Sequence, residues 1–297
     1  MVLDPSLPFA RAHAVAAGVS RRRLEGPTYQ RLFQGVYVGA DVTVTPAVRV
    51  RGALLAVEGA AAYGVTAAEL RGLPVPTDED THLLVPPDAP RCRRAGIVVH
   101  RGVRRLSSHL GLPLTTTAET FVDVAAEHPL VDAVVLGDAI VREGYASPAQ
   151  LVRASAGTSR RGAPRARRAA ALVRPRVASP PETRLRLLVV LGGLPEPATG
   201  YEVRVAGRTR YLDLAYPDWR VAVEYDGRHH VERDLQWSDD VERREDLDHE
   251  SWRVVTVTGL QMWQPERVLG RIRRALHTAG APLPPASQQW RRHFPHT

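Results

Sequence analysis

The chain has 297 residues, 44% apolar and 24% charged, with a formal net charge of +8 and a pI near 10.3. That length holds two or three domains with cores of their own, and the balance excludes membrane-spanning and fully disordered classes. All 40 basic residues are arginine and Cys92 is the single cysteine, so an anionic partner, nucleic acid first, is expected, whereas intramolecular disulfides and cysteine zinc sites are excluded.

The first 25 residues hold His13 and the triplet Arg21 to Arg23 without an apolar core of signal-peptide length,. No run approaches the roughly 18 apolar residues of a membrane helix. A cytoplasmic, nucleoid-associated protein is expected, with no small-molecule cofactor.

Residues 1–45 read as two short helices and a strand pair. The first helix covers Ala10 to Ala17 and stops at Gly18; Ser20 caps a second that opens on Arg21, Arg22 and Arg23,. "RLFQGVYV" then has the apolar residues and glycine of a β-wing. Helix, turn, helix, wing is the order of a winged-helix DNA-binding domain; a small helical cap with a solvated arginine face fits the same residues.

Residues 46–154 are expected as an α+β middle domain. An Ala-rich helix spans Ala53 to Tyr63, "THLLVP" and "GIVVHRG" are strands, and "TTTAETFVDVAAEHPLVDAVVLGDAIVREG" gives two helices with Thr116 or Thr117 as cap and Gly144 as stop,. Asp123 and Asp138 lie at opposite ends of these apolar helices, where surface or capping roles are expected.

Residues 155–178 hold seven arginines between Arg160 and Arg176 and no acid. They read as a basic linker, helical around Arg165 to Val173 and broken by Pro175. Beside domains that bind DNA, Arg160, Arg161, Arg165, Arg167 and Arg168 would lie against phosphates without reading sequence; a solvated charge run is the alternative.

Residues 179–297 form the third domain. Ser179 caps a helix with prolines at its first positions and Glu182 three residues on. Strands follow at "YEVRVAG", "TRYLDLA" and "RVAVEYD", then a helix from Ser238 to Glu250, the strand "WRVVTVT" and a helix from Pro265 to Ala279. The order is α/β, a mixed sheet covered by helices.

Strand alternation locates the acids of "YLDLAYPDWRVAVEYDGRHH". Asp213 shares a face with Tyr211 and Ala215, and Glu224 and Asp226 share one with Ala222. Across the turn, Asp213 and Glu224 fall on the same side of neighbouring strands. Close carboxylates repel unless a cation lies between them, and a hard ion such as Mg²⁺ or Mn²⁺ accepts two or three such oxygens. His229 and His230, beyond Gly227, titrate near neutral pH and suit proton transfer. A solvent-facing sheet and an Asp226-Gly227 turn are the plainer account of the same acids.

Residues 179–278 resemble the PD-(D/E)XK nuclease superfamily, and within it the actinobacterial domains related to very-short-patch-repair endonucleases. The resemblance rests on the helix with Glu182, the strand with Asp213, "VAVEYDG" with Glu224 and Asp226, the "GRHH" histidines, and "DDVERREDLDHESWRVVTVT" with Asp240 and Arg243. It implies a restriction-endonuclease-like core and metal-dependent cutting of a DNA phosphodiester, as in repair of mismatched or damaged DNA. Asp213 and Glu224 would hold the metal, Glu182 would support it, and His229 or His230 would move protons. The family lysine, two residues after the glutamate, is replaced by Asp226; the very-short-patch branch also lacks it and uses histidines. The first 150 residues resemble, more loosely, AbiEi-type antitoxins.

Two functions follow from these residues: a Mg²⁺-dependent DNA endonuclease or nickase, or a non-catalytic DNA-binding regulator or antitoxin with a degenerate nuclease fold. Trp219, Trp237, Trp252 and Trp263 are expected to complete the nuclease core, with Trp237 also placed to wedge into a duplex.

Overall fold

A computed structural model describes residues 3–205, 207–227, 247 and 249–294. His229, His230, Trp237, Asp240, Arg243 and most of the helix expected over 238–250 lie outside the described residues. The architecture is mixed α/β, in two compact units: residues 1–128 with 150–167, and residues 129–149 with 168–297.

The first unit opens with β1 (Phe9–Ala10), α1 (Arg11–Ala16), α2 (Arg21–Leu24), β2 (Tyr29–Phe33) and β3 (Val36–Gly39), its strands in the order β1-β3-β2. Helix α2 is a single turn, and the Ser20 hydroxyl accepts the Arg23 N–H at 3.3 Å, as its capping role requires,. The boundary expected at residue 45 is no break in packing. Phe33 and Val36 share one apolar cluster with Ala53, Val57, Leu83, Val85 and Ile97.

Next come α3 (Pro46–Ala56), β4 (Ala61–Ala62), α4 (Gly64–Leu70), β5 (Thr81–Val85), β6 (Ile97–Arg101), β7 (Leu106–His109), β8 (Leu112–Thr115) and α5 (Thr117–Glu127). The five strands form one mixed sheet in the order β6-β5-β4-β8-β7. The helix expected over Ala53 to Tyr63 is displaced: Thr45 caps α3, Pro46 opens it, and it has ended before Gly59, which sits at φ +68°,.

The second unit begins with α6 (Leu130–Arg142), after which the chain forms α7 (Pro148–Ala156) and α8 (Ala163–Ala171). Helix α8 forms within the arginine-rich stretch, and the unit boundary at 167/168 falls inside it. Ala166, Ala169 and Ala170 are buried, so this stretch is packed structure rather than an open linker.

The rest of the second unit is α9 (Pro180–Leu191), β9 (Ala198–Val205), β10 (Arg208–Tyr216), β11 (Val221–Asp226), β12 (Arg253–Thr258) and α10 (Pro265–Thr278). Its sheet runs β12-β11-β10-β9; β9, β10 and β11 are antiparallel, and β11 and β12 are parallel. Helix α6, expected in the middle domain, belongs here. Asp138 on α6 is 2% exposed and meets Arg186 of α9, which is fully buried, at 2.8 Å. Thr183 Oγ1 also donates to Asp138 Oδ2, and the Arg174 N–H donates to Oδ1. The surface role expected of Asp138 is thereby overturned: a buried carboxylate requires such partners, and it has three. Among the described residues, no helix is long and apolar enough to cross a membrane.

Candidate functional site

The hairpin of β10 and β11 pairs Tyr216 with Val221, Ala215 with Ala222, and Leu214 with Val223. One further step in that register sets Asp213 opposite Glu224, and residues opposite each other on antiparallel strands project from the same face. The regular ladder ends there, because Asp213 Oδ2 itself accepts the Tyr225 backbone N–H at 2.8 Å. A side-chain oxygen takes the place of a main-chain carbonyl, and this fixes the carboxylate between the two strands. On its other side, β11 runs in register with β12, Glu224 beside Thr256 and Asp226 beside Thr258.

Asp213, Glu224 and Asp226 are all half-buried. They lie at the end of a strand pair whose other end is fully buried, with Val221, Ala222, Val223 and Leu214 at 0% exposure. A rigid apolar base therefore supports a polar, solvent-reachable rim.

Glu182, expected both as the capping-box partner of Ser179 and in metal support, is seen in the cap. Its Oε2 accepts the Ala178 N–H at 2.9 Å and its Oε1 accepts the Ser179 hydroxyl at 2.7 Å, while Ser179 Oγ accepts the Glu182 N–H at 3.4 Å. This is a reciprocal helix cap, and it occupies both carboxylate oxygens.

The arginines expected at phosphates divide. Arg21, Arg22 and Arg23 are exposed, as are Arg161, Arg165, Arg167 and Arg168. Arg21 also pairs with Glu25 at 2.9 Å across the helix surface. Arg160 is not available in this way: its guanidinium bonds Glu119 Oε2 at 2.6 Å and Asp123 Oδ1 at 2.9 Å. Asp123, expected at the surface, is in turn buried at 4% exposure and also holds Arg104 at 3.0 Å. Among the tryptophans, Trp252 is in the core at 7% exposure, but Trp263 stands 60% exposed, so the core role expected for it does not hold.

Sequence reading passed over a second cluster of ionisable groups, in the first unit. His82 on β5 and His100 on β6 approach to 2.9 Å between Nδ1 and Nε2, and Asp78 Oδ2 lies 3.1 Å from His82 Nε2. The three groups form one hydrogen-bonded chain, Asp78 to His82 to His100, in which each ring nitrogen donates or accepts according to its tautomer,. Tyr63 stacks on His100 at 4.3 Å, with Arg104 above the Tyr63 ring. Burial first, then the charges of His82 and Arg104, push the His100 imidazole down to about 4. Burial pushes the Tyr63 hydroxyl above its ordinary value. The only advance signal was one histidine in each of two β-rich segments, "THLLVP" and "GIVVHRG". Neighbouring parallel strands bring the two rings together.

No protein-family model matches this chain. It is similar to two proteins of Mycobacterium tuberculosis, the uncharacterized proteins MT2308 of strain CDC 1551 / Oshkosh and Rv2248 of strain ATCC 25618 / H37Rv. Each is 28% identical over 254 residues, spanning 84% of this chain and 93% of the relative. Among solved structures, the RV2827C protein of Mycobacterium tuberculosis aligns with a TM-score of 0.39 at 18% identity, covering 66% of this chain and 83% of that one.

Proposed function

We propose that this chain is a divalent-metal-dependent DNA endonuclease or nickase, centred on Asp213 and Glu224 and acting on mismatched or damaged DNA. The observation that carries this reading is the cross-strand register that puts two half-buried carboxylates on one face, one of them fixed by the Tyr225 N–H. Like charges so placed repel, and a hard cation relieves the repulsion.

The donor set fits Mg²⁺ or Mn²⁺. Asp213 and Glu224 offer carboxylate oxygens, and Mg²⁺ is typically held by one or two carboxylates plus waters, whereas zinc sites use three or four nitrogen or sulfur ligands. When bound, such an ion lowers the pKa of water and offsets charge on the phosphoryl group. Asp213 would hold the ion from a carboxylate whose Oδ2 is anchored on the strand amide of Tyr225. Glu224 is fixed in place by the parallel ladder to β12, beside Thr256. Asp226, at the strand end, presents a carboxylate that can accept a proton from water; the resemblance assigns proton transfer to His229 and His230 as well.

The exposed arginines supply affinity for phosphate. The capped turn with Arg21 to Arg23 and the β2–β3 pair support a winged-helix reading of residues 1–45, and Arg161, Arg165, Arg167 and Arg168 add a second basic face. A DNA substrate sets the work on the nucleoid, in the cytoplasm.

The test is incubation of the purified chain with matched, mismatched, deaminated and single-stranded DNA in Mg²⁺ and in Mn²⁺. Cutting that Asp213→Ala abolishes while binding persists is the expected result. A second reading, a non-catalytic DNA-binding regulator or antitoxin, draws support from Asp226 at the lysine position and from the use of both Glu182 oxygens in a cap. It replaces the first if wild type and variant bind alike and neither cuts any of these substrates.

A further inference from the structure

Strand β12 delivers Thr258 beside Asp226 and then turns sharply through residues 259–263 into α10. This turn carries Leu260 at 81% exposure and Trp263 at 60%, among the most exposed large apolar side chains of the described residues. The turn itself is well held. The Thr258 N–H donates to Gln261 Oε1 at 3.3 Å, Arg271 Nη1 donates to the same oxygen at 2.8 Å, and Arg271 Nη2 donates to the Thr256 carbonyl at 2.9 Å. At Gly259 the turn passes close to β11, where a Cβ would lie 3.0 Å from the Tyr225 hydroxyl and push that side chain aside.

The same turn and the start of α10 line a recess with Gln261, Gln264, Arg267, Val268 and Arg271. Arg271 is held by neutral oxygens alone and Arg267 reaches Gln264 Oε1 at 3.4 Å. Neither has a carboxylate partner among the described residues, so both charges stand uncompensated there. The nearest acid on the helix, Glu266, is paired with Arg291 at 3.2 Å. Exposing an indole and a leucine costs hydration free energy, and holding two uncompensated cations beside them makes sense against a ligand that offers both a flat apolar face and negative charge.

We propose that the 259–263 turn and the first half of α10 form a DNA-binding surface, in which Trp263 and Leu260 pack against an unstacked base while Arg267 and Arg271 take the flanking phosphates. Its choice of DNA rests on the proposed nuclease reading, because the turn leaves the sheet directly beside Asp226. The surface itself needs no metal. Stacking a base on an aromatic side chain contributes about 1–3 kcal/mol, tolerates any sequence and favours a strand that is already unpaired. Binding of this kind would bias the protein toward mismatches and gaps without reading a base edge.

The test uses the full chain in EDTA with a duplex of about two helical turns carrying 2-aminopurine at a mismatch. The expected result is binding with a rise in 2-aminopurine fluorescence, a loss of roughly 5- to 150-fold in affinity for Trp263→Ala, and retention of most binding in Trp263→Phe. Arg267→Ala, at an exposed position that holds no part of the turn, should flatten the salt dependence. Leu260→Ala, at a position that hardly touches the core, repeats the test with little risk to folding. Equal affinity and equal fluorescence for wild type and Trp263→Ala overturn the proposal. Trp263-dependent binding to phosphatidylglycerol vesicles, or to RNA, with none to DNA overturns it as well. Wild type that binds through Trp263 yet never cuts DNA in Mg²⁺ or Mn²⁺ removes the nuclease reading alone and leaves this surface standing.

Discussion

Asp213 reaches from β10 to β11 and takes the Tyr225 backbone N–H on Oδ2 at 2.8 Å, so one carboxylate both closes the hairpin and faces Glu224. The two roles separate under substitution. Asp213→Asn keeps an oxygen for the amide but loses the charge, and it should cut DNA more weakly by more than the roughly 10- to 100-fold that loss of a group behind a metal ligand costs, with little change in melting temperature. Asp213→Ala should lose activity and also leave the N–H unpaired, at about 1–2 kcal/mol. Paired cleavage assays and thermal melts check both; an Asp213→Asn protein that cuts at wild-type rate removes the assigned role.

Glu182 tests whether the cap is its whole task. Ser179→Ala removes one half of the reciprocal cap and should cost about 1 kcal/mol. Glu182→Gln retains an acceptor oxygen and should keep both stability and any cleavage activity. If Glu182 instead supports a cation, Glu182→Gln will raise the Mg²⁺ concentration needed for half-maximal cutting while leaving urea stability alone.

Much of the second unit was legible because its signals are local. Ser179, the two prolines and Glu182 mark one helix start, and strict alternation marks the strands that put Asp213 beside Glu224. What sequence hid depends on packing between distant segments. The hairpin of β7 and β8 turns through Leu110 and Gly111 at φ 51° and 72°, a geometry usually marked by Asn-Gly, and leucine gives no such mark. Asp123 and Asp138 looked like surface acids because their arginine partners, Arg104, Arg160 and Arg186, come from elsewhere in the chain. Trp263 looked like core because large aromatics usually are; only the turn after β12 exposes it.

The Asp138–Arg186 pair is buried at both ends, and Arg186 Nε and Nη1 have no hydrogen-bond acceptor among the described residues, with Glu196 no nearer to Nη1 than 3.9 Å. Removing Asp138 leaves a buried cation without its close counter-charge. Asp138→Ala should therefore destabilise the protein by about 3–5 kcal/mol, whereas Asp138→Leu combined with Arg186→Met should cost much less or nothing. Urea denaturation of the three proteins measures the difference, and equal losses for single and double variants would show that the charges are not coupled.

His100 gives the first unit a pH dependence of known sign. Its folded value of about 4 lies below the 6.5 of a free imidazole. Between those values the unfolded chain binds a proton that the folded chain excludes, so stability rises with pH across that window. The contribution is complete above about pH 6.5 and is lost as pH falls toward 4. The groups facing the ring are His82, Tyr63 and Arg104, with Asp78 beyond His82. After allowance for solvent access the effect is about 1–3 kcal/mol. Melting temperature measured from pH 7.5 to 4 should fall less steeply in His100→Phe than in wild type.

The arginines of residues 160–168 separate structure from binding. Arg160 joins Glu119 and Asp123, with Arg104 on the same acid, so Arg160→Ala should lower stability by about 1–3 kcal/mol and barely change DNA affinity. Arg161, Arg165, Arg167 and Arg168 are exposed, and their combined replacement by alanine should do the reverse. Every phosphate left without its arginine reduces the slope of log affinity against log salt by about 0.9. Anisotropy titrations with labelled duplex at several salt concentrations, run beside urea melts, distinguish the two classes. An unchanged slope in the fourfold variant would show that this face does not meet phosphate, and would leave Arg21 to Arg23 and the turn at Trp263 as the surfaces that bind DNA.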